Sequence, residues 1–228
     1  MLNAAEAESG ANHTDAEKRE MVLNALIDRA LLAAQAEASG FSLNAAALDE
    51  RVTALEAKIG GAEALSTWMA QYGYDNESFR EALRESELAA WQRDQILASI
   101  ADPQEQVHVR QIRTRERSTA EDVLNNLQSG ADFATLAKQF DPTTGGDLGW
   151  FPRGFLLQPE VEEAAFNLQA GEISEIIESP VGYHIVQVIE RENERALAPL
   201  AVTVLQQKAL NAWLDAQKAN SQIEILLP

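Results

Sequence analysis

Apolar residues in the first hundred positions recur at helical spacing. Thr14 and Glu17 form a capping-box pattern, and the alanine- and leucine-rich run after them reaches Ser39 with Gly40 in the stop position, which predicts one long helix. Leu48, Val52, Leu55 and Ile59 predict a second, ended by Gly60 and Gly61. Leu65, Trp68, Met69 and Tyr72 mark a short helix closed by Gly73. Asp75 or Asn76 then caps a longer one through Phe79, Leu83, Leu88, Trp91 and Ile96, and Pro103 stops the series. Stripes at this spacing are read first as core, and only second as a peptide or cofactor groove.

The periodicity changes after Pro103. Val107 to Arg113 alternates as a strand does, and Ser118 with Glu121 makes a second capping-box pattern ahead of Val123, Leu124 and Leu127, with Gly130 closing that helix. Phe133, Leu136, Ala137 and Phe140 predict a short helix, and Pro159 suits the first turn of another with Val161, Ala165 and Leu168 inward. Residues 172–178 and 183–190 read as an antiparallel pair joined at Ser179-Pro180-Val181-Gly182. Alternation puts Ile185 and Ile189 on one face and His184, Val186 and Val188 on the other.

Composition narrows what these elements serve. The 228 residues carry a formal charge of −18 and no cysteine. That charge argues against binding DNA, RNA or anionic lipid, and the missing thiols exclude a disulfide framework, a thiolate metal site and a cysteine nucleophile. His13, His108 and His184 are too scattered for a metal cluster. No run approaches the roughly 20 apolar residues of a membrane span. The first twenty residues are polar and acidic where a signal peptide needs a basic and then an apolar stretch, so the chain as given reads as soluble; a cleaved signal would leave the same trace.

Between the two halves of the mixed region lies FDPTTGGDLGWFPRG, from Phe140 to Gly154. Its glycines allow positive φ and close backbone approach, while Leu148, Trp150 and Phe151 suit an apolar pocket wall. It is no phosphate loop, because no lysine-serine or lysine-threonine pair follows the glycines, and no second carboxylate is spaced for acid–base work. His184 lies on an apolar strand face, where a satisfied core histidine is the commoner outcome.

The order of elements, with GADFATLAKQF, GGDLGWFPRG, EEAAFNLQAGEIS and GYHIVQVIE, resembles the parvulin family of peptidyl-prolyl cis-trans isomerases over about residues 105–191. VLNALIDRALLAAQAEASGFSLN and YGYDNESFREALR extend the resemblance to the helical part of extracytoplasmic foldases of the PrsA and SurA type. It implies an α+β chain: a helical chaperone-like domain over 1–104, an inserted isomerase domain with a small antiparallel sheet over 105–191, and a helix within 192–228 that returns to the helical domain through Val204, Leu210, Trp213 and Leu214. It also implies work outside the cytoplasm, unfolded or proline-containing polypeptides as partners, no cofactor, and leaves a homodimer open.

Carried over residue by residue, the resemblance implies a proline cup of Leu148, Phe151, Leu156 or Leu157, Val161 and Phe166. Leucine stands there for the usual methionine and valine for the usual phenylalanine. The polar centre would combine His184 with Asp141, in the family's cysteine-or-aspartate position, and with Ser179, a hydroxyl that hydrogen-bonds the histidine pair. The first histidine of that pair is replaced by Gln111, in VRQIR where the family has ARHIL; His108, three residues earlier, faces the other side by strand alternation. Glutamine still donates and accepts, so a neutral network with His184 survives chemically. Two readings follow: an isomerase that also chaperones, or a non-enzymatic chaperone or proline-peptide binder with a degenerate site. A soluble domain with a helical oligomerisation arm fits the composition but leaves the apolar loop unexplained.

Overall fold

The computed structural model describes residues 14–225, which separate into two compact units: residues 14–99 with 209–225, and residues 100–208. The described residues form eight helices and one four-stranded antiparallel sheet.

The first unit contains α1 (Asp15–Ala38), α2 (Ala45–Ile59), α3 (Ala62–Gln71), α4 (Asn76–Ala98) and the second half of α8 (Pro199–Asn220). Two of its caps are those the sequence signals: Thr14 and Glu17 close a capping box, and Asp75 with Ser78 forms a reciprocal pair. Asn44, whose Oδ1 accepts from Ala47 N–H at 2.9 Å, caps α2. The core joins Leu32, Ala33 and Ala36 of α1 to Leu88, Ala89 and Ile96 of α4 and Leu214 of α8, and Phe41 stacks on Trp91 with centroids 4.5 Å apart. Three alanines in the seam let α1 and α4 approach closely. The α2 stripe is less used than its spacing predicts: Leu48 is buried, Ile59 is exposed, and Val52 with Leu65, Met69 and Phe79 borders an open depression of about 240 Å³.

The second unit is built on β1 (Gln104–Thr114), β2 (Asp147–Pro152), β3 (Ile177–Ser179) and β4 (Gly182–Arg195), in the order β2-β1-β4-β3. Pro152 ends an edge strand, where a missing N–H costs no ladder bond. Each face of the sheet has its own core. Ile112 and Ile185 pack with Val123 and Leu127 of α5 (Arg117–Gln128) and with Phe133 and Ala137 of α6 (Phe133–Phe140). On the other face Val107, Val109, Phe151, Val186 and Val188 pack with Val161, Ala165 and Phe166 of α7 (Pro159–Asn167). The alternation read from residues 183–190 therefore sorts Ile185 from Val186 and Val188 as expected.

Two local expectations fail. The Ser118–Glu121 capping box does not form, because β1 runs to Thr114 and α5 begins at Arg117, which puts Ser118 inside the first turn; Glu121 instead takes Arg117 Nε at 3.2 Å. The strand expected over 172–178 shrinks to Ile177–Ser179, preceded by a single bridge from Ile173 to Gln187. Ser174 is the cause. Its hydroxyl accepts Val186 N–H at 2.9 Å, a bond that a continued ladder would give to a backbone carbonyl.

Leu88→Ala should lower unfolding free energy by about 2–5 kcal/mol, the usual cost of a buried leucine truncated in a close-packed core. Ile59→Ala should change it by less than about 0.5 kcal/mol, as at other exposed positions. Urea unfolding of the two variants checks the contrast.

Candidate functional site

Strand register builds the centre of the site. In the antiparallel pair of β1 and β4, Gln111 stands opposite Val186 and Arg113 opposite His184. Gln111 and His184 are thus diagonal neighbours on the α7 face, within reach of one side chain of each. His184 Nδ1 lies 3.1 Å from Gln111 Oε1, and Nε2 lies 2.8 Å from Ser179 Oγ. A carboxamide oxygen only accepts, so Nδ1 carries the proton and donates to Gln111. Nε2 then accepts from the Ser179 hydroxyl, and the chain is neutral throughout.

His184 is 2% exposed. Its pKa lies below the ordinary histidine value, first because burial disfavours the imidazolium and second because the Arg113 guanidinium repels it; Glu160 pulls weakly the other way. The imidazole is therefore a fixed neutral donor–acceptor. Ser179 is held in turn by Val181 N–H, which donates to its Oγ at 3.2 Å within the two-residue turn between β3 and β4.

Gln111 also faces outward. Together with Arg113, Phe140, Asp141 and Gly146 it borders an open depression of about 460 Å³. Gly146 fixes this edge: its φ is +74°, Gln111 N–H donates to its carbonyl at 2.8 Å, and a Cβ there would fall 2.0 Å from Gln111 O. Asp141 reaches the same depression but spends its carboxylate on its own turn, accepting from Thr143 N–H at 3.0 Å, Thr144 N–H at 3.1 Å and the Thr144 hydroxyl. Those bonds, the Thr144 hydroxyl foremost, hold it below the usual carboxylate range. Among the described residues no hydrogen bond joins Asp141 to His184.

The residues assigned to the proline cup divide by burial. Phe151, Val161 and Phe166 belong to the core under α7, with Phe151 at 0% exposure, while Leu148 and Leu156 are part-buried against that core. Leu157 is 84% exposed and turned away from it. The aromatic stack of Phe151 with Phe155, centroids 6.4 Å apart, continues this wall to the loop after β2. His108 stands apart from the site, with Nε2 2.8 Å from Asp147 Oδ1 and its ring beside Trp150. Asp147 lies below its ordinary value: burial pushes it up, but Gly149 N–H and His108 outweigh that. His13 is outside the described residues.

Arg113 and Phe140 were not among the candidates read from the sequence. Arg113 was legible: two residues after Gln111 on a strand, it shares that residue's face. Phe140 reads as the end of a helix and the start of the glycine-rich loop, and it is 40% exposed at the rim.

Two outcomes are expected. Gly146→Ala should destabilise the chain by more than the roughly 1–2 kcal/mol of a left-handed alanine, because the new Cβ also meets Gln111 O; the His184 ring resonances should shift with it. On acidification from pH 7.5, the unfolded chain protonates this histidine near its ordinary value of 6.5 while the folded chain resists. Stability therefore falls as pH drops through about 6.5, since the unfolded state binds more protons there. His184→Asn should flatten that part of the profile, measured as urea midpoints of both proteins between pH 7.5 and 5.5.

Comparison with known proteins accounts for this arrangement. Residues 96–190 match the family described as rotamase, PPIC-type PPIASE domain. The chain is 32% identical over 197 residues to the foldase protein PrsA of Halalkalibacterium halodurans, covering 76% of this chain and 58% of that protein. It is 34% identical over 137 residues to the chaperone SurA of Burkholderia orbicola, covering 52% of this chain and 30% of that one. The chain thus spans little over half the length of the first and under a third of the second. The crystal structure of the peptidylprolyl isomerase PrsA from Bacillus cereus superposes with a TM-score of 0.57 at 23% identity, covering 92% of this chain and 85% of that one, which is a likeness of fold. Residues 96–190 thus match the PPIC-type rotamase model, and the chain as a whole is similar to part of the PrsA and SurA foldases.

Proposed function

We propose that the chain accelerates cis-trans isomerisation of X-Pro bonds in unfolded polypeptides and holds such polypeptides while it does so. The barrier to be lowered is about 18–20 kcal/mol, and no covalent bond breaks during the rotation. Catalysis requires only that the twisted amide be bound better than either planar isomer. The observation that carries this reading is the neutral chain Ser179–His184–Gln111, fixed at the edge of an open depression within a rotamase-type domain.

In this reading Leu148, Leu156 and Leu157 offer apolar contact to the proline ring, over a floor stiffened by Phe151, Val161 and Phe166. Gln111 gives directed hydrogen bonding, His184 orients it from behind in the tautomer that Ser179 sets, and Asp141 shapes the mouth of the depression. Residues 105–191 would do the chemistry, and residues 1–104 with the helix of 192–228 would hold the client. We also infer an extracytoplasmic place of work, supported by the kinship with PrsA and SurA; among the described residues no helix is long and apolar enough to cross a membrane.

A second reading, a proline-peptide binder without turnover, is favoured by one observation. Phe151, Val161 and Phe166 are packed as core, which leaves a shallower cup than the spacing of these residues suggests.

Catalysed exchange of a short X-Pro peptide, followed by NMR, decides between them. Wild-type protein should accelerate exchange, and His184→Ala should reduce the rate about 100-fold, the lower end of the range for losing a directed hydrogen-bonding group. Asp141→Ala should reduce it less, because that carboxylate acts on its own turn. Peptide binding without acceleration at high protein concentration would retire the enzymatic reading. Failure to suppress aggregation of any unfolded test protein would retire the chaperone part.

A further inference from the structure

The loop that carries Phe155, Leu156 and Leu157 has no ladder partner, yet its backbone is gripped from two sides by opposite charges. Glu162 on α7 accepts Gly154 N–H through Oε1 at 2.6 Å and Leu156 N–H through Oε2 at 2.9 Å. Lys208 on α8 donates to the carbonyls of the same two residues, at 2.5 Å to Gly154 and 3.0 Å to Leu156. Both polar groups of both residues are thereby held in charge-assisted bonds, which are about twice as strong as neutral ones. Leu205, one turn before Lys208 on the same face of α8, closes on Gly154 from the side: a Cβ at Gly154 would lie 3.2 Å from Leu205 Cδ2.

We propose that Glu162 and Lys208 are positioning residues for the prolyl-peptide site. They fix residues 154–157 so that Leu156 stays against the apolar wall and Leu157 is held out for the client; this rests on the isomerase reading above. A carboxylate receives the two N–H groups and an ammonium supplies the two carbonyls, so neither residue can replace the other. Lys208 lies beyond residues 96–190, the part that matches the isomerase family. The loop of this isomerase is thus completed by a helix from outside the family's own domain. Both side chains act on backbone rather than on the peptide, so their loss should raise KM while leaving the rotation step itself nearly unchanged.

The experiment uses the full chain. Lys208→Met keeps the aliphatic stem and removes the charge; Glu162→Gln keeps one acceptor oxygen and loses the other. Amide hydrogen exchange at Gly154 and Leu156 should quicken about tenfold in Glu162→Gln, the scale expected for a lost charge-assisted bond. In Lys208→Met, KM for an X-Pro peptide should rise about three- to tenfold with kcat within about twofold, as for lost positioning. Lys208→Arg, whose guanidinium also donates twice, should return KM to near the wild-type value. Unchanged KM in Lys208→Met, even with faster exchange, overturns the proposal, as does a loss of kcat at constant KM. If wild-type protein turns over no peptide, the isomerase reading falls separately, and the Kd of the same peptide takes the place of KM: a rise in Lys208→Met reversed by Lys208→Arg supports the positioning role, and an unchanged Kd overturns it.

Discussion

The register of β1 against β4 is the constraint on which the second unit depends. A strand paired on both sides and covered on both faces cannot slip by one residue without sending Val107, Val109 and Gln111 to the face where Ile112 now packs. That slip would strip His184 of its Nδ1 acceptor and leave a buried imidazole half satisfied, at a cost of about 1–3 kcal/mol beyond the lost packing. Apolar alternation and polar pairing therefore enforce the same alignment. The site is a by-product of the registration that holds the sheet together.

Cations are scarce in a chain with 18 basic and 36 acidic residues, and several of them serve backbone oxygens and aromatic faces in this unit. Arg191 on β4 donates through Nη2 to Phe166 O and Leu168 O at the end of α7 while Glu105 holds Nη1, so the negative end of the helix that floors the apolar wall is met by a fixed positive charge. Arg153 lies over the Phe166 ring at 4.2 Å and Arg195 over Trp150 at 4.2 Å. The first contact lies within the loop-and-helix segment between β2 and β3, and the second ties β2 to the end of β4.

Much of this was legible in the chain. Helices with a strong start and stop, such as Thr14 to Ser39 or Asp75 to Ser99, were visible because cap chemistry and periodicity agree there. Alternation around His184 placed it with the valines, and the motif comparison paired it with Gln111 across 73 positions. What escaped has a common physical cause: side chains bonding to backbone. Ser174 ended a strand early by offering its hydroxyl to Val186 N–H, and the β1–α5 turn moved a cap signal inside a helix. Glu162 and Lys208 left no trace at all, because a charged residue aimed at a distant loop looks in sequence like any solvated charge. The inward place of Val161 was legible from helical spacing, but the core membership of Phe151 and Phe166 was not, since spacing does not say how far α7 lies from the sheet.

The hydrogen-bond chain at the site has two unequal halves. Ser179 and His184 are five positions apart across a two-residue turn, so their bond closes a short loop and belongs to a single hairpin. Gln111 comes from the neighbouring strand β1, 73 positions away in sequence, and joins through one bond only. The histidine thus keeps a local anchor whatever stands at position 111, which makes that position the interchangeable end. An imidazole or hydroxyl there would change what faces the depression without dismantling the hairpin that holds His184.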